Sequence, residues 1–166
     1  MYIIREASSL EDFDAFLALK SQKDAIKWSG FETAPDPVKF KQYYIEKVLN
    51  NPITHVFFLC DQSVEGCPIV GYRQYDKVSA EAVDIRGTII KKSYQGTDAL
   101  EALNTLLAKH YKEKGYKYLT AWISEKNKAS EYNSLRSGWN KTDEFVLKDI
   151  PLLGGEHKFF KWVKVI

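Results

Sequence analysis

The chain has 166 residues, of which 45% are hydrophobic, which is enough for one domain with a sizeable core. Its 24 basic and 22 acidic residues give a formal net charge of +2, too small to indicate nucleic-acid binding. No apolar run approaches the roughly 20 residues of a membrane span, and the first residues lack the zones of a signal peptide. We therefore expect one cytoplasmic domain over residues 1–166, without nucleic-acid or membrane partners.

The histidines and cysteines do not form a metal-binding pattern. His55, His110 and His157 lie far apart in the sequence, and Cys60 and Cys67 are the only cysteines. Because cytoplasmic thiols are normally reduced, we expect two free cysteines, with a bridge across a hairpin as the alternative. We expect no metal site.

The N-terminal third predicts a strand, a helix, a loop and a second helix. Residues 2–7 are rich in β-forming types, and the apolar spacing that follows predicts a helix capped by a serine. Between residues 24 and 37, aromatic side chains alternate with turn formers, which predicts a loop with large exposed groups. Pro37 suits the first turn of the second helix, whose apolar stripe ends near Asn50.

A β-hairpin is predicted next. Residues 55–60 form a continuous apolar run, and residues 69–75 form a second strand pattern after a turn-rich segment. Because side chains alternate along a strand, Tyr72 and Arg73 should point to opposite faces of the sheet.

The centre of the chain predicts a strand–helix–strand unit. Residues 83–90 form a β-branched strand, residues 91–97 a short polar loop, and an amphipathic helix begins near Asp98. Residues 118–123 then read as a return strand. The N–H groups at the start of such a helix are unpaired and can bind an anion, which indicates a phosphate-bearing ligand.

The last third predicts a short helix and a strand pair. Asn127 suits an N-cap and Gly138 a C-terminal cap, and residues 144–148 and 157–163 read as the two strands. The order of elements predicts a single α/β (α+β) domain with a mixed, mostly antiparallel central sheet flanked by about four helices.

The element order and two local patterns resemble the GNAT superfamily of N-acetyltransferases. The family's loop pattern R/Q-x-x-G-x-G/A falls on residues 93–98, where Tyr94-Gln95-Gly96 matches a common form but the first and last positions depart. Asn127, the short helix after it and Gly138-Trp139 match a second family segment in spacing. The resemblance implies a GNAT fold that uses acetyl-CoA as the acetyl donor.

The resemblance also implies where acetyl-CoA would bind. Backbone groups around Ile89 and Ile90 would hold the pantetheine arm, and N–H groups between Gln95 and Ala99 would hold the pyrophosphate. An acid at Asp98 would repel a phosphate if its side chain pointed inward, so we interpret Asp98 as a helix cap. The predicted cofactor-binding residues are Ile89, Ile90, Lys91, Gln95, Gly96, Thr97, Asp98, Ala99 and Asn127.

Acetyl transfer to an amine needs a group that accepts the amine's proton, and the leaving thiolate can receive one. Asp84 and Glu81 are the acids nearest the central strand, with an arginine pair and a turn position as their structural alternatives. By resemblance, Ser134 stands where many family members have a tyrosine acid, and serine is a poor acid. Tyr132 lies on another face of that helix, where packing is the alternative role. The predicted catalytic residues are Asp84, Glu81, Ser134 and Tyr132.

Aromatic and polar side chains on the early loop and the hairpin could line an acceptor pocket, although strand aromatics commonly belong to the core. The predicted substrate-binding residues are Trp28, Phe31, Tyr72, Arg73 and Tyr75. Lys27-Trp28 is similar to a pair found in relatives that acetylate nucleotide-linked amino sugars.

We therefore expect an N-acetyltransferase that transfers an acetyl group from acetyl-CoA to the primary amine of a small molecule. An amino sugar or a nucleotide-linked amino sugar is the first candidate for the acceptor. The alternatives are a protein or peptide amine, or a catalytically silent acyl-CoA-binding module. A homodimer is left open.

Overall fold

The computed structural model describes residues 1–166 as one sheet of seven strands with helices on both faces. The strands are β1 (Tyr2–Glu6), β2 (Thr54–Asp61), β3 (Ile69–Lys77), β4 (Ala82–Ile90), β5 (Tyr118–Ser124), β6 (Asn140–Asp149) and β7 (Glu156–Val165). The helices are α1 (Phe13–Lys20), α2 (Lys23–Trp28), α3 (Pro37–Tyr43), α4 (Ala99–Glu113) and α5 (Lys128–Arg136). A π-helical turn, Tyr44–Leu49, extends α3.

The strand order is β1-β2-β3-β4-β5-β7-β6. All neighbouring strands are antiparallel except β4 and β5, which are parallel and joined by α4. A parallel pair needs a crossover connection of this kind, and the amphipathic stripe of α4 supplies it. The predicted mixed, mostly antiparallel sheet and its strand–helix–strand unit are confirmed.

Each face of the sheet carries its own hydrophobic core. Leu103 and Leu107 of α4 pack with Phe57 on one face, whereas Phe16 of α1 packs with Phe58 on the other. Alternation along β2 produces this division, since neighbouring residues point to opposite faces. Burying each such side chain contributes about 1.5–3 kcal/mol, so the two cores hold the three layers together.

Helix α2 is the main departure from the sequence-based prediction. Lys23–Trp28 lies largely within the segment predicted as a loop, so that part of the prediction is wrong and the helices number five rather than about four. Gln22 is extended at the N-cap, and Asp24 is in the first turn, where an acid favours the helix dipole. Six residues are too few to show a helical periodicity in the sequence.

The predicted hairpin and the predicted caps are confirmed. Strands β2 and β3 pair in antiparallel register. The Ser9 hydroxyl accepts a hydrogen bond from the Glu11 N–H, and the Asn127 side chain accepts one from the Ser130 N–H. Gly138 has a φ of +80°, a left-handed conformation that glycine adopts readily at a helix end.

Cys60 is buried and Cys67 is half-buried, and both are free thiols. No three His, Cys, Asp or Glu side chains are placed to share a metal ion. No helix combines the length and the apolar character needed to cross a bilayer.

Candidate functional site

Strands β4 and β5 part to form a V-shaped cleft in the middle of the sheet. Their parallel pairing ends at Ile85 and Ala121, whereas β4 continues to Ile90 and β5 to Ser124. Beyond the last pair, β4 stays bonded only to β3, and β5 only to β7. The edges that face each other across the cleft therefore have no strand partner.

A β-bulge marks the point where the cleft begins. The β3–β4 register passes from Tyr75–Ile85 to Gln74–Gly87, which leaves Arg86 as the extra residue. Arg86 is exposed and forms an ion pair with Asp84 at 3.3 Å. Because a bulge bends its strand, it accounts for the divergence of β4 from β5 at this position.

The cleft-facing edge of β4 is defined by the alternation of its main-chain groups. The Lys91 N–H donates to β3, so the main-chain groups of Ile89 also face β3. Those of Thr88 and Ile90 then face the cleft. Of the two residues predicted to hold the pantetheine arm, Ile90 therefore directs its main chain toward the cleft, whereas Ile89 directs its main chain toward β3, and Thr88 faces the cleft instead.

The Ile90 carbonyl already accepts hydrogen bonds from two glutamine side chains. The Nε2 groups of Gln22 and Gln95 donate to it at 3.1 and 3.0 Å. Gln95 was predicted to act through its N–H group, and here its side chain connects the loop before α4 to the mouth of the cleft. The main-chain groups that remain open to a ligand on this edge are those of Thr88 and the Ile90 N–H.

The start of α4 presents unpaired N–H groups beside the cleft. Helix α4 begins at Ala99, and the N–H groups of Gly96, Asp98, Leu100 and Glu101 have no acceptor within the protein. Gly96 has a φ of +76°, which turns the chain into the helix. Unpaired N–H groups and the positive end of the helix dipole together suit a pyrophosphate.

Asp98 occupies the N-cap position, but its side chain does not cap the helix. Instead it accepts a hydrogen bond from the Tyr2 hydroxyl at 3.2 Å. The side chain that bonds the helix start is Thr97, whose Oγ1 accepts from the Ala99 N–H at 3.3 Å. Burial and the nearby Asp98 carboxylate raise the pKa of Tyr2. Asp98 is thus the N-cap residue, as interpreted from the sequence, but its carboxylate bonds a long-range partner instead of the N–H groups of the helix.

The loop between β4 and α4 is anchored on both sides. The Tyr94 hydroxyl donates to Asp61 at 2.9 Å, which raises the pKa of Tyr94, and Gln95 donates to Asp24 at 2.9 Å. These bonds hold the loop in position without a ligand. A preformed site loses less conformational freedom on binding, which favours affinity.

Helix α2 and the loop after it span the open end of the cleft. Gln22 and Asp24 attach α2 to the β4 side through the bonds described above. On the other side, a Cβ at Gly30 would lie 3.5 Å from the Asp149 carbonyl, at the end of β6. The segment therefore contacts both halves of the parted sheet.

The predicted acceptor residues Trp28 and Phe31 lie on this spanning segment. Trp28 is half-buried and has the Lys27 ammonium 4.7 Å from its ring centroid, while Phe31 is 58% exposed. Both are accessible to a ligand. The Lys27-Trp28 pair is engaged in an internal cation–π contact.

Arg73 and Tyr75 lie in the core against α4, where they make specific bonds. Arg73 donates to the Asn104 side chain at 2.7 Å, and the Tyr75 hydroxyl lies 3.0 Å from the His110 Nε2. Their exposures are 8% and 2%. Tyr72 packs on the opposite face, as the alternation predicted. The three side chains therefore do not line one pocket, and that part of the prediction is wrong.

The α1 side of the open half of β4 carries a group that the sequence-based prediction missed. The Lys20 Nζ lies 5.1 Å from the Tyr72 ring centroid and 5.6 Å from that of Phe16. A Cβ at Gly87 would lie 3.5 Å from the Tyr72 hydroxyl and 3.9 Å from this Nζ. Burial lowers the pKa of Lys20 to about 8 and raises that of Tyr72. The spacing of Phe16 and Lys20, which share a helix face at i and i+4, could have indicated the contact.

The two predicted acids lie away from the open half of β4. Asp84 is 7% exposed, accepts from the Thr120 hydroxyl at 2.7 Å and pairs with Arg86, at the closed end of the cleft. Glu81 is exposed, pairs with Lys117 and precedes β4, on the order of 30 Å from Ile90 at 3.3 Å per residue. The structure thus matches the arginine-pair and turn alternatives for these acids.

Ser134 and Tyr132 lie on helix α5, which contributes no residue to either hydrophobic core. No residue of α5 is buried, and Ser134 is half-buried. Tyr132 is 60% exposed, with the Arg136 guanidinium 5.5 Å from its ring centroid. The packing role expected for Tyr132 is therefore wrong. The side-chain oxygen of Asn127 caps this helix, and its N–H and carbonyl are bonded to Ser124 and Glu131, which leaves its side-chain NH2 to contact a ligand.

No protein-family model and no curated protein matches the sequence. Solved structures match the fold over nearly the whole chain. The spermidine N-acetyltransferase of Vibrio cholerae, in complex with CoA and spermine, has a TM-score of 0.81 at 11% identity, over 99% of this chain and 95% of its own. The ribosomal-protein-alanine N-acetyltransferase of Brucella melitensis has a TM-score of 0.72 at 19% identity, over 99% of both chains.

A third structure, the ribosomal-protein-S18-alanine N-acetyltransferase of Escherichia coli, has a TM-score of 0.74 at 14% identity, over 100% of this chain and 94% of its own. At these identities the similarity establishes the fold, and the activity has to be argued from the site. The GNAT fold predicted from the sequence is confirmed.

Proposed function

We propose that the protein is an N-acetyltransferase that uses acetyl-CoA to acetylate the primary amine of a small molecule. The observation that carries the proposal is the parting of β4 and β5 after Ile85 and Ala121, directly beside the unpaired N–H groups that begin α4. An open strand edge can bond an extended amide-bearing arm, and a helix start can bond a pyrophosphate. Similar folds belong to N-acetyltransferases, one of them solved with CoA.

The residues present fit such a donor. Thr88 and Ile90 offer main-chain groups along the open edge, and Gly96, Asp98 and Leu100 offer N–H groups at the helix start. Acetyl-CoA would supply the acetyl group as a thioester. The chain's part is to bind and orient the donor through these groups, while α2 and its following loop cover the open end and limit access of water.

The acceptor would approach from the α1–α2 side of β4. There the Tyr72 hydroxyl and the Lys20 amine lie beside Gly87, and Trp28 and Phe31 supply accessible aromatic surface. The structural relatives are a spermidine N-acetyltransferase and a ribosomal-protein-alanine N-acetyltransferase, so they give no support to an amino sugar as the acceptor. The sugar proposal therefore rests on Lys27-Trp28 alone.

One set of observations favours a second candidate, an acyl-CoA-binding module without catalysis. Ser134 stands at the position of the family's tyrosine, Tyr132 is exposed, and Asp84 is paired with Arg86 at the closed end of the cleft. The other predicted acid, Glu81, precedes β4, so neither predicted carboxylate lies at the open half of that strand. Binding without turnover would be the signature of this candidate.

The test separates binding from chemistry. Isothermal titration should show that CoA binds more tightly than pantetheine, which lacks the pyrophosphate that the start of α4 would hold. Release of free thiol from acetyl-CoA with a panel of primary amines then measures transfer. Binding with amine-dependent release supports the proposal, and binding with no release across the panel favours the silent module. Absence of CoA binding overturns both.

A further inference from the structure

We infer that Lys20 binds a negatively charged group of the acceptor, so that the acceptors are small amines that also carry a carboxylate or a phosphate. The inference rests on the proposed function, because it assigns the acceptor class of the same cleft. It assigns to Lys20 a role in specificity rather than in the chemical step.

The position of Lys20 places its amine beside the narrow end of the cleft, where β4 and β5 begin to part. Gly87 is the first residue of β4 after the bulge, in the half that has parted from β5. A Cβ on Gly87 would lie 3.9 Å from the Lys20 Nζ. The Nζ lies over the rings of Phe16 and Tyr72, which pack edge to face at 4.9 Å, so the ammonium is held beside the strand by cation–π contacts.

Lys20 has no counterion in the protein. It takes part in none of the salt bridges, and burial is the sole cause of the lowering of its pKa. The acid on the neighbouring helix is Asp24, and both of its carboxylate oxygens already accept hydrogen bonds. One accepts from the Gln95 side chain, and the other accepts from the Gln22 side chain and the Ala25 N–H. A partly desolvated cation without an anionic partner is a costly arrangement that an anionic ligand relieves.

Apart from the bonded Asp24 carboxylate, the polar side chains on this side are neutral hydroxyls and amides. The Tyr72 hydroxyl lies beside Gly87, and the Tyr43 hydroxyl accepts from the Gln74 side chain at 3.0 Å. Because both Asp24 oxygens are already bonded, Lys20 is the charge left open to a ligand, and it repels an acceptor with a second positive charge and attracts one with an anion near its amine. Polyamines should therefore be poor acceptors, and amines with an acidic group should be good ones.

The experiment compares acceptors that differ only in the anion. One pair is phenylalanine and phenethylamine, and the other is glucosamine 6-phosphate and glucosamine, so the two pairs distinguish carboxylate from phosphate. Initial rates of thiol release at pH 7 should give a kcat/KM at least about tenfold higher for the anionic member of one pair or of both. Equal values, or a preference for the neutral members, would overturn the inference.

Variants connect the preference to Lys20. In Lys20→Met, the kcat/KM values of the anionic and neutral acceptors should differ by no more than about twofold, chiefly because KM for the anionic acceptor rises. Lys20→Arg keeps the charge and should keep most of the preference. Lys23→Met, at an exposed lysine of α2, is the matched control and should leave the preference unchanged. Thermal unfolding and CoA titration of each variant verify that it folds and binds the donor. A preference that persists in Lys20→Met rules out the assignment.

Failure of the proposed function has a different signature. If no amine is acetylated although CoA binds, the activity is refuted, and calorimetric titration of the same acceptor pairs in the presence of CoA decides the inference. Tighter binding of the anionic members by the native protein, lost in Lys20→Met, would support it. Binding that does not depend on the anion would refute it.

Discussion

The two halves of β4 differ in what they contribute. In the half from Ala82 to Ile85 the strand is paired on both sides, Val83 is fully buried, and Asp84 is bonded by Thr120. In the half from Gly87 to Ile90 one edge has no strand partner. Since unpaired main-chain groups cost free energy unless water or a ligand bonds them, the open half gives up stability that the closed half supplies. One strand thus contains both a fully paired half and a half whose edge is open to the proposed ligand.

The largest effect should come from the core behind the closed half. Leu107 of α4 is fully buried in the same cluster as Val83, so Leu107→Ala should lower the free energy of unfolding by about 3 kcal/mol through cavity formation. Urea denaturation measures the loss. The control is Leu135→Ala, at a side chain that is 63% exposed, which should change the free energy of unfolding by less than about 0.5 kcal/mol. A loss below about 1 kcal/mol at Leu107 would contradict this division of the strand.

A glycine pair tests whether the start of α4 belongs to the binding half. Gly96 and Gly115 have φ values of +76° and +82° at opposite ends of α4, and a Cβ at either position would meet nothing within 4 Å. Alanine at either site should therefore cost about 1 kcal/mol of stability through backbone strain alone. Only Gly96→Ala should also weaken CoA binding, by about tenfold, because it displaces the N–H groups of the loop. Equal CoA affinities in the two variants would remove this loop from the site.

The charge at Asp98 should have a smaller effect. Asp98→Asn can keep the bond to Tyr2 while it removes a negative charge near the proposed pyrophosphate position, so CoA should bind about threefold more tightly at low salt. The gain should disappear in high salt, where exposed charges are screened. Glu113→Gln, at the far end of α4, should leave the affinity unchanged. A large loss of affinity in Asp98→Asn would mean that the carboxylate itself supports binding.

The smallest effect is expected at Ser134. A serine hydroxyl is too weak an acid to protonate a thiolate, so Ser134→Ala should leave kcat within about twofold. Ser130→Ala, on the same helix, serves as the control. A selective fall in kcat for Ser134→Ala would place its hydroxyl in the mechanism.

Sequence reasoning succeeded where the information is local. The caps at Ser9 and Asn127, the hairpin, and the strand–loop–helix unit that leads into α4 follow from patterns within one or two turns of chain. It failed where a distant partner decides the outcome. The Asp98 carboxylate accepts a hydrogen bond from Tyr2, 96 residues earlier in the chain. The burial of Arg73 and Tyr75 depends on α4, which covers their face of the sheet.

By itself the sequence determined the layered α/β domain, the single parallel crossover and the position of the loop and helix start before α4, because hydrophobic periodicity and capping residues act over short distances. Only the tertiary structure decided that β4 and β5 separate after Ile85, that Thr88 rather than Ile89 faces the cleft, and that Lys20 lies unpaired beside Gly87. These features depend on one bulge and on contacts between elements that are distant in sequence. Strand register and side-chain burial are properties of such contacts, and no local pattern encodes them.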